Sequence, residues 1–167
     1  MIIFEPRIFS RRTNGRFDAT NPKVSNPKFN VSDYPRTHDA RWAQFEEAYA
    51  LDPAAAYESA SYGVMQVMGF ESKNAGFETA GEYVRFMSQS EANQVEAMLR
   101  FARVHNLIET LQRHDWAGFA RRYNGPTYAR YGYDTRLAKA YAQISAEMAA
   151  EFKSVLPDGR ALSDSPP

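Results

Sequence analysis

The spacing of apolar residues beyond residue 37 is the feature that most constrains how this chain can fold. Apolar side chains there recur at steps of three and four residues, as Trp42, Phe45 and Tyr49 do, and this is the period of an amphipathic helix. The same pattern returns in several shorter stretches and in a long one over residues 133–156. The sequence therefore predicts an all-α, mainly helical protein.

Residues that favour helix N-termini divide this region into separate helices. Asp52 stands directly before Pro53, a pair typical of a helix start, and Thr79 with Glu82 has the spacing of a capping box. The other predicted N-caps are Ser90, Asn106 and Asp115. These signals predict several short helices followed by the long one.

The stretch SYGVMQVMGF, residues 61–70, is predicted to form a short apolar helix among the others. Its apolar residues have helical spacing, Ser59 and Ser61 would cap its start, and Gly69 would end it. We expect the other short helices to pack around it.

Two segments lack a helical period. Residues 14–36 are rich in proline and asparagine and are predicted to form an irregular ordered loop or a small hairpin region. A long ordered loop in a compact domain is often functional. The tail PDGRALSDSPP, residues 157–167, is predicted to be disordered, so we expect one domain over residues 1–156.

The charge balance argues against two classes of partner. Lysine plus arginine and aspartate plus glutamate number 20 each, so the chain has no electrostatic footprint for nucleic acid or an anionic membrane. A small basic group, Arg11, Arg12 and Arg16, is interpreted as part of a solvated loop. No apolar run approaches membrane-spanning length, and the N-terminus has no signal-peptide core.

Residue types also limit the chemistry. The chain has no cysteine, which excludes thiolate catalysis and cysteine-ligated metals. Its histidines, His38, His105 and His114, are far apart and lack ligand spacing. No serine stands in a nucleophile-elbow sequence. We therefore expect neither a metal site nor a serine triad.

Glu58 and Glu5 are the carboxylates that most invite a chemical interpretation. Glu58 lies before the apolar stretch with Tyr57 and Tyr62 nearby in sequence, and a carboxyl group held against apolar neighbours can act as a general acid. Glu58 could equally favour a helix start electrostatically. Glu5 precedes Pro6 in an aromatic setting, so its carboxylate could be held rigidly and partly buried for a chemical role, or it could form a salt bridge. For Glu58 and for Glu5, the chemical and the structural interpretation both stay open.

Three polar residues are candidates for ligand binding. Gln66 lies among apolar residues, so its amide must be satisfied either by protein or by a ligand hydroxyl or acetamido group. Tyr123 and Asn124 precede Gly125 and Pro126, a turn signal that would display them at a helix end. Their hydroxyl and amide groups are suited to a saccharide.

Taken together, three motifs resemble the N-acetylmuramidase domain of phage endolysins. That family reads Phe-Glu-x-His-x-Phe, then Ser-x-Ser-Trp-Gly-x-x-Gln-x-Met-Gly, then Trp-x-x-Phe-Ala-x-x-Tyr-Asn-Gly-Pro. The matching residues here are Phe4, Glu5 and Phe9; Ser59, Ser61, Gly63, Gln66, Met68 and Gly69; and Trp116, Phe119, Ala120, Tyr123, Asn124, Gly125 and Pro126. The resemblance extends over about residues 2–142.

The resemblance implies a lysozyme-like fold and cleavage of the β-1,4 bond between N-acetylmuramic acid and N-acetylglucosamine in peptidoglycan. It implies no metal or organic cofactor. If this chain is active, we expect Glu58 to be the acid and Glu5 the water-orienting or second carboxylate. Substrate-binding roles are then expected for Ser61, Tyr62, Gln66, Tyr123 and Asn124.

The chain departs from the family pattern at three points. Arg7 replaces the histidine of the first motif, and Tyr62 replaces the tryptophan of the second, which keeps an aromatic platform. The family also has a glutamate helix shortly before the Phe-Glu motif, whereas this sequence starts at Met1, immediately before that motif. A partner chain or a fused domain could supply that segment.

Three interpretations follow: a truncated muramidase, an enzyme in which Glu58 has become the acid, or a degenerate module that binds peptidoglycan or a protein partner without cutting. A Glu58 that faces a cleft would favour the enzyme, and one paired to an arginine on the outside would favour the binder. An active protein would be made in the cytoplasm and act on the cell wall, in the periplasm.

Overall fold

The computed structural model describes residues 1–155, and within them it is mainly helical. The predicted disordered tail, residues 157–167, lies outside the described residues. The helices are α1 (Pro6–Arg12), α2 (His38–Leu51), α3 (Pro53–Glu58), α4 (Ala80–Ser88), α5 (Glu91–Val104), α6 (Ile108–Gln112), α7 (Trp116–Asn124) and α8 (Tyr133–Val155). The strands are β1 (Ile2–Phe4), β2 (Ala60–Tyr62) and β3 (Val67–Met68). The chain divides into two compact units, Met1–His105 and a second that begins at Asn106.

The first unit contains a small antiparallel sheet in the order β1-β2-β3. Phe4 pairs with Ala60 and Ile2 with Tyr62, and on the other side of β2 Tyr62 pairs with Val67. The prediction of an apolar helix over residues 61–70 is therefore wrong. Ser59 ends helix α3 rather than capping a new one, and Ser61 lies in the central strand.

Backbone conformation explains why this stretch is a hairpin. Gly63 and Gln66 both have positive φ, 72° and 53°, in the turn that joins β2 and β3. Two left-handed residues so close together interrupt a right-handed helix. The pairing of β1 with β2 then satisfies backbone groups that would otherwise be buried without partners.

An aromatic cluster centred on Phe45 of α2 forms the core beside the sheet. The Phe45 ring lies 6.5 Å from Phe4, 5.6 Å from Tyr57 and 6.4 Å from Tyr62, measured between centroids. Phe4 also contacts Phe9 of α1, at 5.7 Å. One helix thus holds together β1, β2 and α3.

The segment 14–36 is an irregular loop with a single 3-10 turn at Val31–Asp33, and the predicted hairpin lies instead at residues 60–68. The Asp18 carboxylate accepts hydrogen bonds from Ser10 at 3.1 Å and from Ser25 at 2.5 Å. The Gln44 amide of α2 donates to the backbone carbonyls of Lys23 and Asp33, at 3.0 and 2.6 Å. These bonds order the loop against α1 and α2.

Most predicted helix starts are confirmed. The side chains of Asp52, Ser90 and Asp115 each accept a backbone N–H at the start of α3, α5 and α7, and Thr79 with Glu82 forms the full capping box of α4. The prediction for Asn106 is wrong. Its φ is 54°, a left-handed conformation that an N-cap does not adopt, and α6 begins after Leu107 without a side-chain cap.

The second unit packs α6 and α8 against α7. Leu107, Phe119 and Ala120 are its buried apolar residues near these helices. The Arg122 guanidinium donates to the Asn106 carbonyl at 2.8 Å, and the His114 and Trp116 rings lie against Tyr141 of α8. α7 is therefore fixed at both ends.

Gly69 provides a test of the packing around the hairpin. A Cβ at Gly69 would meet the Tyr57 carbonyl oxygen, which is rigid backbone, whereas a Cβ at Gly81 would make ordinary contact with the Tyr57 ring at 3.5 Å. We expect Gly69→Ala to lower the free energy of unfolding by about 1–3 kcal/mol through overpacking. Gly81→Ala, in α4, should leave it unchanged or raise it by up to about 1 kcal/mol. Urea unfolding of both variants measures the difference, and equal stabilities would contradict the packing.

Candidate active site

The pairing of β1 with β2 places the two candidate carboxylates at one end of the sheet. Glu5 follows β1 and Glu58 precedes Ser59 and β2, and the Glu5 N–H donates to the Ser59 carbonyl at 2.8 Å. Residues that are 53 positions apart in sequence are therefore backbone neighbours. The structure therefore places the backbones of Glu5 and Glu58 next to each other.

Glu58 is the last residue of α3, and its side chain forms an ion pair with Arg12 from the last turn of α1. The Arg12 Nε lies 3.0 Å from Glu58 Oε2, and the two side chains are 38% and 39% exposed. The Arg12 guanidinium also lies over the Phe70 ring, 5.5 Å from its centroid. The neighbour of the Glu58 carboxylate is thus a cation, not the apolar wall of tyrosines that the sequence suggested.

Glu58 also lines a surface groove of about 410 Å³. Other charged residues in the groove wall are Lys73 and Glu78, and α3 and the start of α4 form its sides. Gly69 packs directly on the backbone of Tyr57 and Glu58. The end of α3 is therefore held firmly while one side of Glu58 faces open space.

Glu5 has a different partner from the loop. The Tyr34 hydroxyl donates to Glu5 Oε2 at 2.6 Å. Burial, and next the hydrogen bond to Glu5, raise the pKa of Tyr34 well above its ordinary value, so Tyr34 stays a donor at any physiological pH. Pro6 follows at the first position of α1 and restricts the backbone at Glu5.

Ser61 and Gln66 are linked to each other within the hairpin. Ser61 Oγ donates to Gln66 Oε1 at 2.9 Å, and Gln66 Nε2 donates to the Gly63 carbonyl at 2.7 Å. The protein itself therefore satisfies the Gln66 amide. The pair braces the left-handed turn between β2 and β3.

Tyr62 is a core residue and offers no open platform. It is 6% exposed, its hydroxyl donates to the Tyr57 carbonyl at 3.0 Å, and burial raises its pKa strongly. Its small exposed edge reaches a groove lined by Trp42, Met87 and Gln94 among others. The expectation that Tyr62 stacks on a ligand does not fit this burial, because its central position in the sheet turns the ring inward.

Tyr123 and Asn124 lie in the second unit, at the end of α7. As predicted, the helix stops at Asn124, and Gly125 follows with a φ of 87°. The Asn124 side chain is exposed. The Tyr123 ring stacks on Phe119 at 5.3 Å between centroids, and burial raises its pKa to about 12.

Two residues of the site were not identified from sequence. Arg12 belongs to the basic group that was interpreted as a solvated loop, yet it pairs with Glu58, and Arg16 pairs with Asp52 at 2.9 Å. Nothing in the sequence marked Tyr34 as a site residue except its place in a long ordered loop. Only the folded chain brings these residues to the two glutamates.

The described residues contain no group of three or more His, Asp or Glu side chains that could hold a metal ion. None of the helices in that part of the chain is long and apolar enough to cross a membrane.

Comparison with known proteins gives a consistent result. A family model for N-acetylmuramidase matches residues 1–145. Among solved structures, the crystal structure of Burkholderia AP3 phage endolysin matches with a TM-score of 0.78 and 32% sequence identity. The match covers 88% of this chain and 56% of the endolysin chain, so this chain spans little more than half of that protein's length. No match is found among curated proteins. The predicted lysozyme-like helical fold is confirmed.

The raised pKa of Tyr123 predicts a specific loss of stability in alkali. Its folded pKa of about 12 exceeds the ordinary value of about 10, so the buried neutral phenol favours folding below pH ~10. That contribution is lost as pH rises from about 10 to 12. In urea unfolding between pH 8 and 11.5, Tyr123→Phe should lose less stability than the unchanged chain. Tyr131→Phe, at an exposed tyrosine, is the control, and an identical effect of both variants would contradict the assignment.

Proposed function

The chain belongs to the N-acetylmuramidase family, and we propose that it hydrolyses the β-1,4 bond between N-acetylmuramic acid and N-acetylglucosamine in peptidoglycan. The observation that carries this proposal is the family match over residues 1–145. The 32% identity to a phage endolysin supports it. The substrate is then the glycan strand of the cell wall, so the protein would act there, in the periplasm.

Hydrolysis of a glycosidic bond needs an acid at the leaving oxygen, and we assign this role to Glu58. The groove beside Glu58 gives a sugar ring access to one side of its carboxyl group. A general acid must present its carboxyl group to the leaving oxygen, whereas the Glu58 carboxylate is engaged with Arg12. Substrate binding would therefore have to exchange the Arg12 contact for one between Glu58 and the leaving oxygen.

Glu5 is proposed as the second carboxylate, which orients the attacking water. Tyr34 occupies one of its oxygens, and a carboxylate has acceptor capacity on both. The other oxygen can accept a hydrogen bond from water. A carboxylate in this position can orient water and stabilise positive charge that develops on the sugar.

The binding residues differ in how directly they can act. Asn124 and Tyr123 are proposed to bind sugar N-acetyl and hydroxyl groups from the end of α7. Ser61 and Gln66 are engaged with each other, so we propose that they contribute by holding the hairpin in shape. For Tyr62, buried as it is, only its edge is available to a ligand.

The alternative is a module that binds peptidoglycan without cutting it. The criterion set from sequence was whether Glu58 faces a cleft or pairs with an arginine, and in the structure it does both. The position of Glu58 therefore favours neither the enzyme nor the binding module, whereas membership of a hydrolase family favours the enzyme.

Substitution of the two glutamates tests the assignment. We expect Glu58→Gln to reduce the release of soluble fragments from purified peptidoglycan about a hundredfold or more, as for loss of a general acid, and Glu5→Gln to reduce it as well. Glu96→Gln is the matched control, because Glu96 is 43% exposed and pairs with Arg100 at 2.9 Å. It should keep full activity.

Mass spectrometry of the fragments decides between the outcomes. Fragments with reducing muramic-acid ends are expected from hydrolysis. Fragments with 1,6-anhydro ends would identify the reaction as transglycosylation instead. Full activity of Glu58→Gln would overturn its role as acid. If the unchanged chain pellets with peptidoglycan and releases nothing, the binding module is correct.

A further inference from the structure

Helix α8 exposes a stripe of large apolar side chains. Tyr141, Ile144, Met148 and Phe152 follow one another at steps of three and four residues, and they are 45%, 54%, 65% and 59% exposed. The stripe is about 17 Å long at the helical rise of 1.5 Å per residue. We name these four residues the α8 stripe. An apolar face of this length normally packs against another element.

The stripe begins where α8 leaves its support on α7. Tyr141 contacts His114 and Trp116, with ring centroids 4.4 and 5.2 Å apart, so this end is held in place. From Tyr141 to Lys153 every residue of α8 is exposed. Within the described part of the chain, the apolar face is therefore exposed over about three helical turns.

Four of the six charged residues of α8 are divided by sign between its two halves, and the exceptions are Asp134 in the first half and Lys153 in the second. Arg136 and Lys139 lie before the stripe, and Glu147 and Glu151 lie within its second half. At 100° per residue, Arg136, Glu147 and Glu151 fall on the same flank of the stripe. Arg136 and Lys139 form no ion pair within the described part of the chain. One end of the flank is thus basic and the other acidic.

We propose that the α8 stripe binds the α8 stripe of a second copy of this chain, with the two helices antiparallel. In an isologous contact each patch meets itself about a two-fold axis. An axis at Ile144 brings Tyr141 opposite position 147 of the other copy, one residue from its Met148. The same axis places the basic end of the flank on one copy beside the acidic end of the flank on the other copy. The apolar contacts and the charged contacts therefore require the same register between the two helices.

The composition of α8 argues against a lipid surface as the occupant. Helices that lie in a membrane interface carry lysine and arginine on the polar face. In residues 141–153 the charged residues are Glu147, Glu151 and Lys153, and the rest of the polar side is mostly alanine. An anionic membrane would be repelled by the acidic half.

Single cysteines test the register, because the chain has no cysteine of its own. In the full chain, Ile144→Cys should form an intermolecular disulfide rapidly under mild oxidation, since two copies meet at the axis. Phe152→Cys should not, because eight residues from the axis its two copies lie about 24 Å apart. Ala146→Cys, on the opposite face of α8, is the control for random collision.

Each outcome of the cross-linking experiment either supports or overturns the proposal. Cross-linking at both 144 and 152 would show parallel pairing and overturn the proposal. Equal rates at 144 and 146, or no cross-linking at 144, would overturn it as well. All three positions are exposed, and circular dichroism verifies that each variant keeps its helix content.

Charge reversal gives an independent test by sedimentation equilibrium. The unchanged chain should show a concentration-dependent dimer. Arg136→Glu with Lys139→Glu, or Glu147→Lys with Glu151→Lys, should weaken it roughly tenfold, and all four changes together should restore it. A monomer at every concentration, or a failure of the fourfold variant to dimerise, would contradict the antiparallel contact.

Discussion

The first unit depends on the pairing of β1 with β2, because this contact joins segments almost sixty residues apart. Ile2 to Phe4 align with Ala60 to Tyr62, which closes the chain around α1, the irregular loop, α2 and α3. Such a long closure is entropically costly, and the aromatic cluster around Phe45 offsets it by burying rings from both strands and α2. The positions of Glu5 and Glu58 in the candidate site follow from this closure.

Local signals predicted local structure well. The caps at Asp52, Thr79, Ser90 and Asp115 depend on a side chain and a backbone group within three residues, so the sequence contains all the information that they need. The hairpin at residues 60–68, in contrast, cannot be predicted from local sequence alone. Its apolar spacing suits a helix, and only a partner strand elsewhere in the chain makes the extended form better.

The same distinction applies to the site. Glu58 and Glu5 could be selected from sequence because their residue type and setting suggest chemistry, but their partners could not. Arg12 reaches Glu58 only after α1 and α3 have packed together, and Tyr34 reaches Glu5 only across the ordered loop. The result is two carboxylates with unlike surroundings, one beside a cation and one beside a neutral hydroxyl. Different surroundings are what two carboxylates need if they are to take different roles.

The anchoring of the irregular loop has a consequence for sequence variation. Gln44 binds the loop through the backbone carbonyls of residues 23 and 33, and every amino acid has such a carbonyl. The Lys23 side chain can therefore change through mutation without loss of the anchor, whereas the Asp33 carboxylate also accepts hydrogen bonds from Asn26 and Asn30 within the loop. Variation that alters the outer surface of the loop would leave Tyr34 in place, so this surface is free to diverge among related proteins while the site beneath it is preserved.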